Sequence, residues 1–163
     1  RQLECLKESN CPLEWIEFHV AEWKNEGGLE KEAATCASLA EAAMANGKTA
    51  VVYTSRTVID LSDQTPEQLL AISLRISDAL TSVVSRLAKR PRFLIAKGGI
   101  TSSDVGTIAL AVKKARVLGQ VQPGIPVWKI GEESRFPGMS YIIFPGNVGD
   151  EDTLRKIVEV LNR

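Results

Sequence analysis

Histidine is almost missing from this sequence. Its 163 residues include one, His19, which excludes a histidine-rich metal centre and leaves an imidazole triad little to be built from. In Glu14–Val20 the alternation sets Ile16, Phe18 and Val20 on one face and Trp15, Glu17 and His19 on the other, so His19 reads as a semi-exposed strand residue and not as a catalytic base. Cysteine is also scarce. Cys5, Cys11 and Cys36 are odd in number and form no C-x-x-C pair, the pattern of free, structurally buried thiols in a reducing compartment. Net charge is absent, with 20 Lys+Arg against 20 Asp+Glu. A balanced surface supplies no field for a nucleic-acid or anionic-membrane partner, and neither is expected. No apolar run has the length of a membrane span and no signal-peptide pattern opens the chain, so a soluble, cytoplasmic protein is expected.

Three nucleotide signatures are missing as well. The Gly47-Lys48-Thr49 triplet has Ala42 where a Walker loop needs its first glycine, and it precedes a strand instead of following one. After Gly98-Gly99 the next glycine is Gly106, so the G-x-G-x-x-G dinucleotide fingerprint does not occur at that turn. Protein-kinase signatures are lacking too.

What is present is one domain's length of alternating strands and helices. Arg1–Glu8 reads as a helix entered from something upstream, which suggests a piece of a longer protein. A strand at Glu14–Val20 is followed by an Ala-rich helix, Gly28–Asn46, with Leu29, Ala33, Cys36, Leu39, Ala43 and Met44 on one face. The strand Ala50–Tyr53 leads into Thr54-Ser55-Arg56. Thr65 then caps a helix with Pro66 in its first turn and Gln68 completing a capping box. Further strands are read at Phe93–Ala96, Ala115–Val121, Val127–Ile130 and Tyr141–Phe144, and a last helix places Leu154, Ile157, Val158 and Leu161 inward. This order predicts an α/β fold, a three-layer sandwich with a mostly parallel central sheet and helices on both faces.

The residues of greatest interest run from Arg92 to Gly106. A short apolar strand breaks at Gly98-Gly99, and Thr101, Ser102, Ser103 and Asp104 follow, all favoured at helix starts. The helix should bury Val105, Ile108, Ala109 and Val112. Strand, glycine turn and helix start together form an anion site, because the first helical turn leaves N–H groups unpaired and carries partial positive charge. A tight turn serving folding alone has the same spelling. Thr54-Ser55, Lys97-Gly98-Gly99 and Gly146-Asn147-Val148-Gly149 each end a strand, where ligands bind in open α/β sheets. With Pro123-Gly124-Ile125-Pro126 they suggest one nucleotide-sized cleft.

Lys97-Gly98-Gly99-Ile100-Thr101-Ser102, Pro123-Gly124-Ile125-Pro126-Val127-Trp128 and Phe144-Pro145-Gly146-Asn147-Val148-Gly149 together resemble the successive motifs of the four-carbon acid sugar kinase family. The resemblance is to its C-terminal nucleotide-binding domain and covers essentially the whole chain. It implies that the N-terminal, sugar-acid-binding domain is absent from residues 1–163. It also implies an ATP-dependent kinase for a threonate, erythronate or 3-oxo-tetronate type of acid, with ATP and Mg2+ as cofactors. Ser55, Lys97, Gly98, Gly99, Thr101, Ser102, Gly124, Pro126, Gly146, Asn147 and Gly149 are the implied nucleotide contacts. No catalytic residue and no protein metal ligand is assigned. Many members carry an acidic residue in place of Ile100 and an aromatic in place of Val148, and the segments around Ser134-Arg135-Phe136-Pro137-Gly138 and Phe144–Gly149 resemble the subgroup fused to an aldolase or dehydrogenase domain. The isolated chain is then expected to bind ATP or ADP without turnover. Two other readings use the same turns: a sugar-phosphate or nucleotide-sensing module, and a dinucleotide-dependent oxidoreductase, whose fingerprint is missing.

Overall fold

The structure, a computed structural model, describes residues 1–56 and 63–163. The chain forms two compact units, one of Leu13–Lys89 and one of Arg1–Pro12 with Arg90–Arg163. Both are α/β in construction, as expected, and each has its own sheet.

In the unit Leu13–Lys89, strands β1 (Leu13–Phe18) and β2 (Thr49–Thr54) pair in parallel from Leu13↔Thr49 to Phe18↔Thr54. Helix α1 (Gln2–Lys7) belongs to the other unit, so the first helix here is α2 (Gly28–Ala45), the crossover that a parallel pair requires. Its buried stripe is Leu29, Ala33, Cys36, Ala37, Ala40 and Ala43, and these small side chains let the helix lie close against both strands. Leu39, expected on that stripe, is 49% exposed, because the small-residue row that packs runs beside it. The Cys36 thiol is buried against the Glu17 carbonyl, and burial pushes its pKa up to about 11, so it is an inert core thiol. Helix α3 (Pro66–Ser85) packs on α2 and starts with the expected capping box, Gln68 N–H donating to Thr65 Oγ1 and Thr65 N–H to Gln68 Oε1. Glu41 of α2 accepts the N–H groups of Ala88 and Lys89 at 2.6 and 3.0 Å, which closes off the chain leaving α3.

His19 stands one residue beyond β1, at the start of a 3-10 turn, Val20–Lys24, and not within the strand. Its Nδ1 lies 2.6 Å from Glu32 Oε1 on α2, and its backbone N–H donates to the same oxygen at 2.8 Å. The Glu32 hydrogen bond raises the imidazole pKa, partial burial opposes it, and the charges of Glu32, Glu17 and Glu22 add to the rise. A raised folded-state pKa contributes stability that is complete below the unfolded value of about 6.5 and fades as pH rises through the folded value. The stability gap between the native chain and His19→Ala, measured by urea unfolding, should therefore be widest below about pH 6.5 and should narrow as pH rises.

In the other unit the strand order is β3-β6-β5-β4, from β3 (Phe93–Lys97), β4 (Ala115–Gln122), β5 (Ile125–Ile130) and β6 (Ser140–Phe144). Strands β3 and β6 are parallel, while β6–β5 and β5–β4 are antiparallel. No helix separates the last three strands, and a turn as short as Pro123-Gly124 joins only antiparallel neighbours. The inner strand β6 is buried on both faces, with Tyr141, Ile142 and Phe144 at 0% exposure. Strand β4 is an edge, bulged around Leu118 and again around Val121, with Val117 and Leu118 left exposed. Helix α5 (Thr153–Leu161) buries Leu154, Ile157 and Val158 and packs against α1, whose Leu6 is fully inside.

Helix α4 (Gly99–Asp104) runs into a π-helical turn, Val105–Ala109, in which Leu110 N–H reaches back five residues to the Val105 carbonyl at 2.9 Å. This corrects the expected buried face. Val105 and Ala109 are inside, but Ile108 is 64% exposed and Leu110 takes its place at 0%, since a π turn holds more residues than the 3.6 assumed by the pattern. Among the described residues no helix is long and apolar enough to cross a membrane.

Candidate functional site

Parallel pairing of β3 and β6 sets Lys97 opposite Phe144, so Gly98 and the loop Pro145–Gly149 leave the sheet at the same end. Strand β5 runs antiparallel to β6, with Val127 opposite Ile142. Its first residue, Ile125, and the turn Pro123-Gly124 therefore lie at that end too. Three segments distant in sequence thus converge. A Cβ placed on Gly146 would stand 3.8 Å from Gly98 Cα, and one on Gly124 would stand 3.2 Å from Val148 Cγ1.

The β3–α4 turn is held from within. Gly98 N–H donates to the Phe144 carbonyl at 2.9 Å, Ser102 N–H to the Gly98 carbonyl at 3.0 Å, and Ser102 Oγ to the Gly99 carbonyl at 3.1 Å. The helix starts at Gly99 with Gly98 as its cap, so the hydroxyl residues expected to cap it lie inside its first turns. Ser102, expected at the ligand, is 6% exposed and its hydroxyl is spent on the turn itself. Thr101 is half-buried at the same turn. Only Gly98 requires glycine for its backbone, at φ 121° and ψ 148°. Gly99 is exposed and a Cβ there would meet nothing within 4 Å. The open space over Gly99, beside the first-turn N–H groups, is where an anion can approach.

Lys97 Nζ lies 4.3 Å from the centroid of the Phe144 ring, a cation–π contact at the same end of the sheet. Partial burial lowers its pKa. Pro126 is the second residue of β5, opposite Gln120 in the hairpin, and Gln120 Oε1 accepts the Gly124 N–H at 2.8 Å. Asn147 is exposed in the last loop. Gly149 has φ 83°, and a Cβ there would fall 2.7 Å from Thr153, so its glycine serves the turn into α5. Thr153 Oγ1 accepts the Asp150 N–H at 2.9 Å and donates to Asp150 Oδ1 at 2.7 Å. Ser55, also expected at the ligand, belongs to the unit Leu13–Lys89. There its N–H donates to the Phe18 carbonyl and its Oγ accepts the Val20 N–H at 3.1 Å, bracing the ends of β1 and β2. That unit also has a recess of about 200 Å³ between Trp15, Leu39 and Asn46, but it opens beside Glu14 and Lys48 at the amino ends of the strands.

A family model described as a nucleotide-binding C-terminal domain matches residues 1–154. The chain belongs to that family. No curated protein sequence matches it. Among solved structures, a Haemophilus influenzae protein of the DUF1537 family is 23% identical with a TM-score of 0.61, over 98% of this chain and 37% of that one. A Salmonella typhimurium LT2 protein described as a putative tRNA synthase is 19% identical with a TM-score of 0.66, over 98% and 36%. A Bordetella bronchiseptica DUF1537 protein, with bound citrate and as a domain-swapped dimer, is 15% identical with a TM-score of 0.63, over 99% and 37%. At these identities the likeness carries the fold, and DUF1537 proteins are members of the four-carbon acid sugar kinase family. The nucleotide-binding domain spans little more than a third of these chains.

Among the described residues no group of three or more His, Cys, Asp or Glu is placed to hold a metal ion. Asp152 pairs with Arg155 at 2.9 Å, Lys156 lies 3.8 Å from Asp150, and Arg1 lies 3.3 Å from Glu151, so the acidic start of α5 is largely compensated. The turns offer N–H groups and one ammonium, donors for an anion.

The two adjacent glycines should separate cleanly. Gly98→Ala should cost about 1–3 kcal/mol of stability because it forces a side chain into a glycine-only backbone region. Gly99→Ala should stay within about 0.5 kcal/mol. Thermal and urea unfolding of both variants checks this.

Proposed function

We propose that the turn Gly98–Ser102 receives the phosphates of ATP and that the loops around Gly124 and Gly146–Gly149 take its nucleoside end. The observation that carries the reading is the convergence of these three segments at one end of the sheet, with open space over Gly99. Lys97, held against Phe144, adds a cation to that end. Magnesium, the usual companion of nucleotide phosphates, would enter with the nucleotide. We further propose that the domain is the ATP-binding part of a kinase acting on a four-carbon sugar acid, whose acceptor and general base are supplied by protein outside residues 1–163. Phosphoryl transfer needs alignment and charge stabilisation more than covalent help from the protein, so a domain that only holds and orients a nucleotide can be half of such an enzyme. Nucleotide sensing without turnover is the second reading. The exposed Ile100 favours it, because a carboxylate is lacking at a turn where many members of the resembling family carry one.

Three outcomes test this. ATP and ADP with magnesium should raise the melting temperature, by an amount equivalent to about 2.7 kcal/mol at a hundredfold excess over Kd, while NAD, NADP and sugar phosphates should not. Gly99→Val should fold and lose at least about tenfold in ATP affinity, and unchanged affinity would remove the phosphates from this turn. The chain by itself should show negligible phosphorylation of threonate or erythronate in a coupled ADP-release assay, because an acceptor that is not positioned forfeits effective molarities of about 10⁵ M or more. Robust turnover would place the acceptor site within these residues.

A further inference from the structure

The phenol of Tyr141 reaches from β6 to a backbone carbonyl of another element. Tyr141 lies on β6 at 0% exposure, and its Oη donates to the Ser102 carbonyl at 2.5 Å. The same carbonyl also accepts the Val105 N–H at the end of α4. The phenol thus holds the last turn of α4, and the helix widens into the π turn directly after it, Val105–Ala109. Gly106 makes room for it, since a Cβ there would come within 3.2 Å of the ring at Cε1.

The same residue closes a circuit around the glycine turn. Ser102, which Tyr141 holds by its carbonyl, gives its N–H to Gly98 and its hydroxyl to Gly99. Gly98 in turn gives its N–H to Phe144, three residues along β6 from Tyr141. The turn is therefore tied to β6 at both ends, at Phe144 through Gly98 and at Tyr141 through Ser102. A helix start joined to the sheet at one point can pivot about it, whereas one joined at two cannot. Burial raises the phenol pKa well above its usual range, so it stays a proton donor to Ser102 across the physiological range.

We infer that Tyr141 is a positioning residue that fixes the direction of the first-turn N–H groups of α4 toward the phosphates, a step that rests on the nucleotide reading above. It touches no ligand itself. Its hydroxyl ties the Ser102 carbonyl to β6, and by doing so sets the angle at which the turn meets an anion.

The test uses Tyr141→Phe, which removes one oxygen, and Gly106→Ala, which leaves the phenol in place but crowds its ring. Amide hydrogen exchange without ligand should rise at least tenfold in residues 99–106 of Tyr141→Phe while β3 and β6 stay protected. Titration with ATP, ADP and adenosine should show at least a tenfold loss for the two phosphorylated ligands and less than a twofold change for adenosine, with Gly106→Ala giving the same pattern. Unchanged exchange at residues 99–106 would overturn the inference whatever the ligands do. Equal losses for all three ligands, or loss of the fold in both variants, would also overturn it by making Tyr141 a general core residue. If the native chain binds no nucleotide, the nucleotide reading fails instead, and the exchange result alone decides whether Tyr141 holds the turn.

Discussion

The parallel pairing of β3 with β6 is the constraint from which the rest of this unit follows. It sends two glycine turns out of the sheet on the same side and in contact, and it lets the Phe144 carbonyl take the Gly98 N–H. Because β6 is also the inner strand, buried on both faces, the pairing is anchored by hydrophobic burial and is not exposed to competition from water. An antiparallel β3 would have placed Gly98 at the other end of the sheet from Gly146.

Charge is used sparingly and locally. Excess charge is absent, the acidic run at Asp150–Asp152 is matched by Arg1, Arg155 and Lys156, and the end of the sheet where the turns meet presents backbone donors with Lys97 beside them. Fixed backbone dipoles bind an anion with little reorganisation, which suits the phosphate site proposed for this turn. The carboxylates that do matter elsewhere are structural: Glu41 closes the end of α3, Glu133 accepts the N–H groups of Lys113 and Lys114, and Glu32 holds His19. Each substitutes for a backbone partner that irregular chain cannot find for itself.

Much of the fold was legible because it rests on local rules. The capping box at Thr65, the crossover between β1 and β2 and the glycine turn after β3 are all written in short spacings. Other features were not. Ile108 was placed inside by a 3.6-residue period, and the π turn Val105–Ala109 changed that period. His19 continues the alternation of β1 on paper, yet Glu32 draws it into a turn. Ser102 and Thr101 read as caps because their residue types favour that place, but Gly98, with a backbone angle only glycine accepts readily, starts the helix one turn earlier. Tyr141 gave no signal at all, since a tyrosine in an apolar strand looks like any core aromatic.

The sequence by itself determined the α/β class, the glycine turns, the helix caps and the family resemblance, because each depends on residue type and spacing within a few positions. Tertiary structure decided which turns meet, which of two adjacent glycines is needed for the backbone and which faces open space, and which hydroxyls are spent on the fold. Those outcomes depend on strand direction and on contacts between residues as far apart as Ser102 and Tyr141, and no local pattern encodes them.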